Sequence, residues 1–169
     1  MLLVVPLVQC LLTNRYEWAL ALMFVAGFSD GLDGFLAKQF NWRSRLGGIL
    51  DPVADKMLLV SSFLALAYLD LVPVWLAAIV ILRDVVILSG AAAYTLTIGK
   101  VDPEPTAASK INTACQIIYV LLVIAHEAFV WPGEVAVLIT GAAVLFTSVV
   151  SGLDYVLRWS EKAGSARRA

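Results

Sequence analysis

The sequence predicts an all-α polytopic membrane protein, a six-helix transmembrane bundle whose first span is short. Three observations carry that expectation. Apolar residues make up 61% of the chain and charged residues only 15%, whereas soluble domains run to about half apolar and about a quarter charged. Mean hydropathy is +0.88. The apolar residues also gather into six runs parted by short polar breaks. At 169 residues the length suits one domain covering the whole chain, 1–169.

The first run, Leu2–Leu12, falls short of the ~20 residues a helix needs to cross hydrocarbon. It reads as an incomplete span, and the lack of a charged leader region and cleavage site speaks against a removed signal peptide. The remaining runs are Trp18–Phe35, Leu46–Leu69, Val72–Ile98, Ile111–Trp131 and Glu134–Leu157. Val101–Ala108, with Pro103 and Pro105, forms the one clear linker, and the polar segment after Trp159 reads as a frayed tail. Lys38, Arg43 and Arg45 fall between runs two and three, Lys100 and Lys110 between four and five, and Arg158, Lys162, Arg167 and Arg168 in the tail. The excess of cations on one set of connections places them in the cytoplasm. A multi-pass protein of a bacterial inner membrane is expected. Trp18, Trp42, Trp75, Trp131 and Trp159 lie near run ends, as in an interfacial aromatic belt.

Several function classes drop out. A net charge of −1 gives no basic surface for nucleic acid. Cys10 and Cys115 sit in apolar runs, which suits packing rather than a disulfide or thiolate metal site. His126 beside Glu127 has no nearby ligand partners and reads as an interfacial residue.

The chemistry concentrates between positions 30 and 55. Carboxylates are expensive near hydrocarbon, so those that persist there face a common cavity and carry function. Asp30 and Asp33 are three residues apart, Asp51 and Asp55 four apart. On helices these spacings put each pair on one face, about 60° and about 40° apart around the axis. The first pair ends run two and the second opens run three, so antiparallel helices can bring both to one depth at the cytoplasmic boundary. Oxygen ligands in that number suit Mg²⁺ or Mn²⁺, held by carboxylates together with substrate phosphate. Gly34, Ala37, Gly47 and Gly48 keep bulk away where a phosphate must approach, and also permit close helix packing.

These residues resemble the signature of the CDP-alcohol phosphotransferase family, Asp-x2-Asp-Gly-x2-Ala-Arg-x8-Gly-x3-Asp-x3-Asp. Asp30, Asp33, Gly34, Ala37, Gly47, Asp51 and Asp55 match in type and spacing. The departure is Lys38 where the family has arginine; lysine keeps the charge and loses the forked phosphate geometry. The resemblance implies six membrane helices, often in a homodimer, and transfer of a phosphatidyl group from CDP-diacylglycerol to an alcohol with release of CMP. It further implies that Asp30, Asp33 and Asp51 hold the metal, with Asp55 a ligand or the general base. Asp33, Gly34, Ala37, Lys38 and Gly47 would border the CDP. Family members usually open with an interfacial helix and an Asn, Thr and Arg at the first span; this chain starts near that point, with Pro6 in the place of the following proline.

Two further segments bear on the acceptor. Run four contains Arg83-Asp84, and an arginine in a hydrophobic helix is either a functional group or half of an internal ion pair. Ser109 through Gln116 opens run five, with Ser109 expected as helix cap and Lys110, Asn112, Thr113 and Gln116 offering polar groups. They read either as capping and interhelical bonding or, with Arg83, as an acceptor-phosphate pocket. Arg-Asp and Ser-Lys-x-Asn-Thr-x-x-Gln resemble the CMP-forming cardiolipin synthase branch, which points to phosphatidylglycerol as acceptor, with glycerol 3-phosphate the other choice. Arg83 and Lys110 are the acceptor-binding candidates. Rival readings are a divalent-cation transporter lined by the four aspartates and an inactive scaffold of the same fold.

Overall fold

The computed structural model describes residues 3–39, 47–97 and 107–166, with side chains described outside 28, 30–55, 91–97 and 156–166. Each apolar run becomes a helix: α1 (Val4–Leu12), α2 (Tyr16–Gln39), α3 (Gly47–Tyr68), α4 (Val74–Thr97), α5 (Ala107–Phe129) and α6 (Glu134–Ala166). No strand occurs among the described residues. α5 and the Glu134–Tyr155 part of α6, 23 and 22 residues, are long and apolar enough to cross a membrane; Tyr16–Gly27 and Lys56–Tyr68 are shorter apolar stretches.

Turn chemistry explains how α1 and α3 stop. After α1, the amides of Asn14 and Arg15 donate back to the carbonyls of Leu11 and Cys10, and Asn14 takes φ 55°. After α3, Asp70 and Leu71 donate to Ala67 and Leu66, with Asp70 at φ 57°. Both are the paired bonds of a Schellman cap, in which a left-handed residue satisfies the last carbonyls. Asn and Asp tolerate that region better than other non-glycine residues. α5 ends in a single such bond, from the Val130 amide to the His126 carbonyl.

Two helix boundaries differ from the sequence expectation. α6 continues to Ala166 rather than fraying after Trp159, because the segment holds no proline and carries the good helix formers Glu161, Lys162 and Ala163. α5 begins at Ala107, so Ser109 lies inside the first turn and is not the cap. The two alanines ahead of it are the strongest helix formers and carry the helix back past the serine.

Contacts divide the chain into two compact units, Met1–Val74 with Val120–Val137 and Trp75–Tyr119 with Leu138–Ala169. In the first, α1 packs against both α2 and α3. Leu7 and Leu11 of α1, Ala19, Met23 and Ala26 of α2, and Leu59, Phe63 and Leu66 of α3 are buried. They recur at the three- and four-residue intervals that line one helix face.

The second unit buries a different chemistry with the same rhythm. Leu76, Val80 and Arg83 of α4, Asn112, Gln116 and Tyr119 of α5, and Val144, Ser148 and Ser151 of α6 all face inward. Leu138, Ile139, Phe146 and Leu153 of α6 are exposed. Polar groups inside and large apolar groups outside invert the arrangement of a water-soluble bundle, and polar residues at helix interfaces are typical of helices that associate in lipid.

Glycine–tyrosine contacts set two of these interfaces. A Cβ on Gly90 would lie 3.1 Å from the Tyr155 ring, and one on Gly141 would lie 3.1 Å from Tyr119. The Tyr155 hydroxyl donates to the Ile87 carbonyl at 2.9 Å, so its ring cannot retreat without losing that bond. Gly90→Ala is expected to destabilise the protein by about 1–3 kcal/mol, the usual cost of overpacking. Thermal unfolding in detergent should show this, whereas Gly133→Ala, where a Cβ meets nothing within 4 Å, should change little.

Candidate active site

The acidic motif is divided between two helices. Asp30, Asp33, Gly34, Ala37 and Lys38 lie in the C-terminal part of α2, and Gly47, Asp51 and Asp55 in the N-terminal part of α3. Both helices belong to the unit organised around α1. Helical backbone at 30–33 and at 51–55 meets the condition for each aspartate pair to share a face. The side chains of these eight residues lie outside the described residues, as do those of Arg43 and Arg45. Among the described residues no group of three or more His, Cys, Asp or Glu could hold a metal ion. The four aspartates supply the hard oxygen donors that Mg²⁺ or Mn²⁺ prefers, so the donor chemistry fits such an ion.

The acceptor candidates fall in the second unit, where Arg83 is the centre of a buried polar cluster. Its Nη1 donates to Asp84 Oδ1 at 2.6 Å. Its Nη2 donates to Ser109 Oγ of α5 at 2.8 Å and to Ser151 Oγ of α6 at 2.5 Å. Arg83 and Asp84 are only 6% and 3% exposed. Such a charge is tolerable in an apolar surround only when paired and hydrogen-bonded, and three helices share that task. Arg83 Nε is buried without a partner.

Lys110 is exposed. It follows Ser109 and therefore lies about 100° around α5, so α5 turns the serine hydroxyl to Arg83 rather than the lysine ammonium. Thr113 Oγ1 donates to the Ser109 carbonyl at 3.1 Å, a local bond within the helix.

Deeper in the same unit, Asn112 Oδ1 accepts from Thr147 Oγ1 at 2.8 Å and from Ser148 Oγ at 2.9 Å. The sequence reading found the α4 and α5 members of this cluster and passed over Thr147, Ser148 and Ser151. The available signal was their spacing: hydroxyls at i, i+1 and i+4 inside an otherwise apolar run mark one helix face. Other expectations are simpler. His126 Nδ1 bonds the Pro132 carbonyl at 2.6 Å, a local turn contact. Trp18, Trp75 and Trp131 are exposed near helix ends, while Trp42 and Trp159 lie outside the described side chains. Cys10 and Cys115 are free and half-buried.

Breaking the buried ion pair leaves an uncompensated charge, at a cost of about 3–5 kcal/mol, whereas replacing both partners with apolar residues is often neutral. Asp84→Leu should therefore lower stability by about 3 kcal/mol or more. The double variant Arg83→Met/Asp84→Leu should recover most of that loss in chemical denaturation, and it fails as an account of the pair if the two losses simply add.

Comparison with known proteins bears on both clusters. The model of the CDP-alcohol phosphatidyltransferase family matches residues 1–150. The chain is similar to the CMP-forming cardiolipin synthase of Homo sapiens, 32% identical over 161 residues, covering 86% of this chain and 54% of that protein. The Rattus norvegicus cardiolipin synthase gives the same identity and covers 53% of its own length. A CDP-diacylglycerol--glycerol-3-phosphate 3-phosphatidyltransferase of Bacillus subtilis is 33% identical over 139 residues, 79% of this chain and 69% of that protein. The chain thus spans about half the length of the two mammalian relatives.

Proposed function

The chain belongs to the CDP-alcohol phosphatidyltransferase family, and from that premise we propose that it is a membrane enzyme of phospholipid synthesis. It transfers a phosphatidyl group from CDP-diacylglycerol to an alcohol and releases CMP. The acceptor is phosphatidylglycerol, giving cardiolipin, or glycerol 3-phosphate, giving phosphatidylglycerophosphate. The observation that carries this reading is the spacing Asp30, Asp33, Gly34, Ala37, Gly47, Asp51 and Asp55, split between the end of α2 and the start of α3.

The four aspartates would hold Mg²⁺ or Mn²⁺, which when bound offsets the charge of the diphosphate and of departing CMP. Asp33, Gly34, Ala37, Lys38 and Gly47 border the CDP, with small residues where the phosphates pass close to backbone. Asp55 takes the proton of the acceptor hydroxyl as its oxygen bonds to the phosphatidyl phosphorus and the bond from that phosphorus to CMP breaks. Arg83, with Lys110 nearby on α5, attracts the acceptor phosphate. Outward apolar faces and two helices of spanning length support a multi-pass membrane protein, and the cation-rich connections support six crossings with the site on the cytoplasmic side. A homodimer is the expected assembly.

CMP release from CDP-diacylglycerol by the purified protein should require Mg²⁺ or Mn²⁺ and fall by about a hundredfold or more in Asp55→Asn, the scale of general-base catalysis. Asp30→Ala, Asp33→Ala and Asp51→Ala should abolish turnover while the protein still inserts. Divalent-metal flux into vesicles without CMP would instead mark a transporter. Arg83→Lys keeps the charge and loses the fork; it should raise KM for the acceptor and leave KM for the CDP lipid in place, and an equal rise in both would assign Arg83 a structural role.

A further inference from the structure

Below Arg83, the second unit encloses hydrogen-bonding capacity that no described residue uses. Asn112 and Gln116 are both 0% exposed. Thr147 and Ser148 hold Asn112 through its Oδ1, while its Nδ2 has no partner. Gln116 has a partner for neither Nε2 nor Oε1. Membrane helices satisfy their buried polar groups because the hydrocarbon offers no substitute, so a leucine would occupy the Gln116 position at lower cost.

The position of these amides is informative. Ser109, Asn112 and Gln116 recur at i, i+3 and i+7 on α5, one face of the helix, rising about 10 Å from Ser109 to Gln116. Ser148 and Ser151 stand opposite on α6, with Ser151 on Arg83 and Ser148 on Asn112. The column is closed at Gln116, whereas Ser109 is half-buried beside exposed Lys110. Ser109 thus marks the more accessible end of this polar face, with Arg83 at its level, and the amides mark the buried end.

We propose that Asn112 and Gln116 are specificity-determining residues that read a hydroxyl of the acceptor one layer beneath its phosphate. The inference rests on the reading of Arg83 as the acceptor-phosphate anchor. A hydroxyl both accepts and donates, and so do the orphaned groups taken together. It accepts from Asn112 Nδ2 or Gln116 Nε2 and donates to Gln116 Oε1. A methyl or trimethylammonium group matches neither, and a primary ammonium matches only the oxygen. The chemistry selected is a phosphoglycerol, with one hydroxyl available to attack and a second to be read. It occurs both free, as glycerol 3-phosphate, and as the headgroup of phosphatidylglycerol. A site built to bond a substrate hydroxyl discriminates strongly against the analogue lacking it, because its own polar groups are then left unmet.

The test pairs each acceptor with its deoxy analogue: glycerol 3-phosphate against 3-hydroxypropyl phosphate, and phosphatidylglycerol against phosphatidyl-1,3-propanediol. CMP release is measured for the full chain in vesicles. The native protein should favour the hydroxylated member of whichever pair it turns over by about a hundredfold or more in kcat/KM. The pair that is turned over identifies the source of the phosphoglycerol. Gln116→Met should collapse that ratio toward one while KM for CDP-diacylglycerol stays in place. Gln116→Asn, a milder change that keeps an amide, should leave an intermediate ratio and carries the test if the methionine variant does not fold. A buried water satisfying the same atoms predicts the same ratio in the native protein and both variants, and that result overturns the proposal. CMP release with unaltered discrimination sinks this inference alone; no CMP release with any acceptor sinks the enzymatic reading and this one together.

Discussion

Arg83 has five N–H donors and almost no water to give them to. That constraint organises the second unit. One nitrogen is taken by Asp84 on the same helix, the other terminal nitrogen by Ser109 of α5 and Ser151 of α6. α4, α5 and α6 are thereby tied at one level by a charge that cannot be left unpaired. The serines are small enough to let the helices close around the guanidinium; a Cβ on Gly152 would meet the Arg83 Cγ at 3.8 Å, an ordinary contact.

Lysine at position 83 could not hold this arrangement, since a single ammonium lacks the planar fork that reaches three partners in fixed directions. The fork also fits the proposed role of Arg83 as acceptor-phosphate anchor: hydroxyl partners can yield to phosphate oxygens without the loss of a compensating charge, because Asp84 remains. A group held ready by neutral partners costs little to redirect, and preorganised donors of this kind are what binding sites for anions use.

The acidic motif solves the complementary problem by position. Its aspartates stand at the end of α2 and the start of α3 rather than in the middle of an apolar run, where ionised carboxylates would be far more expensive. The family match across 1–150 includes the motif together with Arg83, Asp84 and Ser109, and ends one residue before Ser151. The chain is similar both to a CDP-diacylglycerol--glycerol-3-phosphate 3-phosphatidyltransferase and to CMP-forming cardiolipin synthases, and the proposed phosphoglycerol acceptor is compatible with either.

By itself the sequence determined six helices, because apolar runs this long satisfy their backbone only as helix, and it determined the family, because the motif is a matter of residue type and spacing. It also marked Arg83, Asp84, Asn112 and Gln116 as polar groups in the wrong place for lipid. Which partners they take was decided by tertiary structure alone. Nothing local distinguishes Ser109 as helix cap from Ser109 as ligand of Arg83; two alanines extended α5 and turned that hydroxyl inward. Ser148 and Ser151 looked like ordinary small residues of an apolar helix until α6 was set against α4 and α5, since a hydrogen bond between positions 68 residues apart depends on helix rotation that no spacing within one segment encodes.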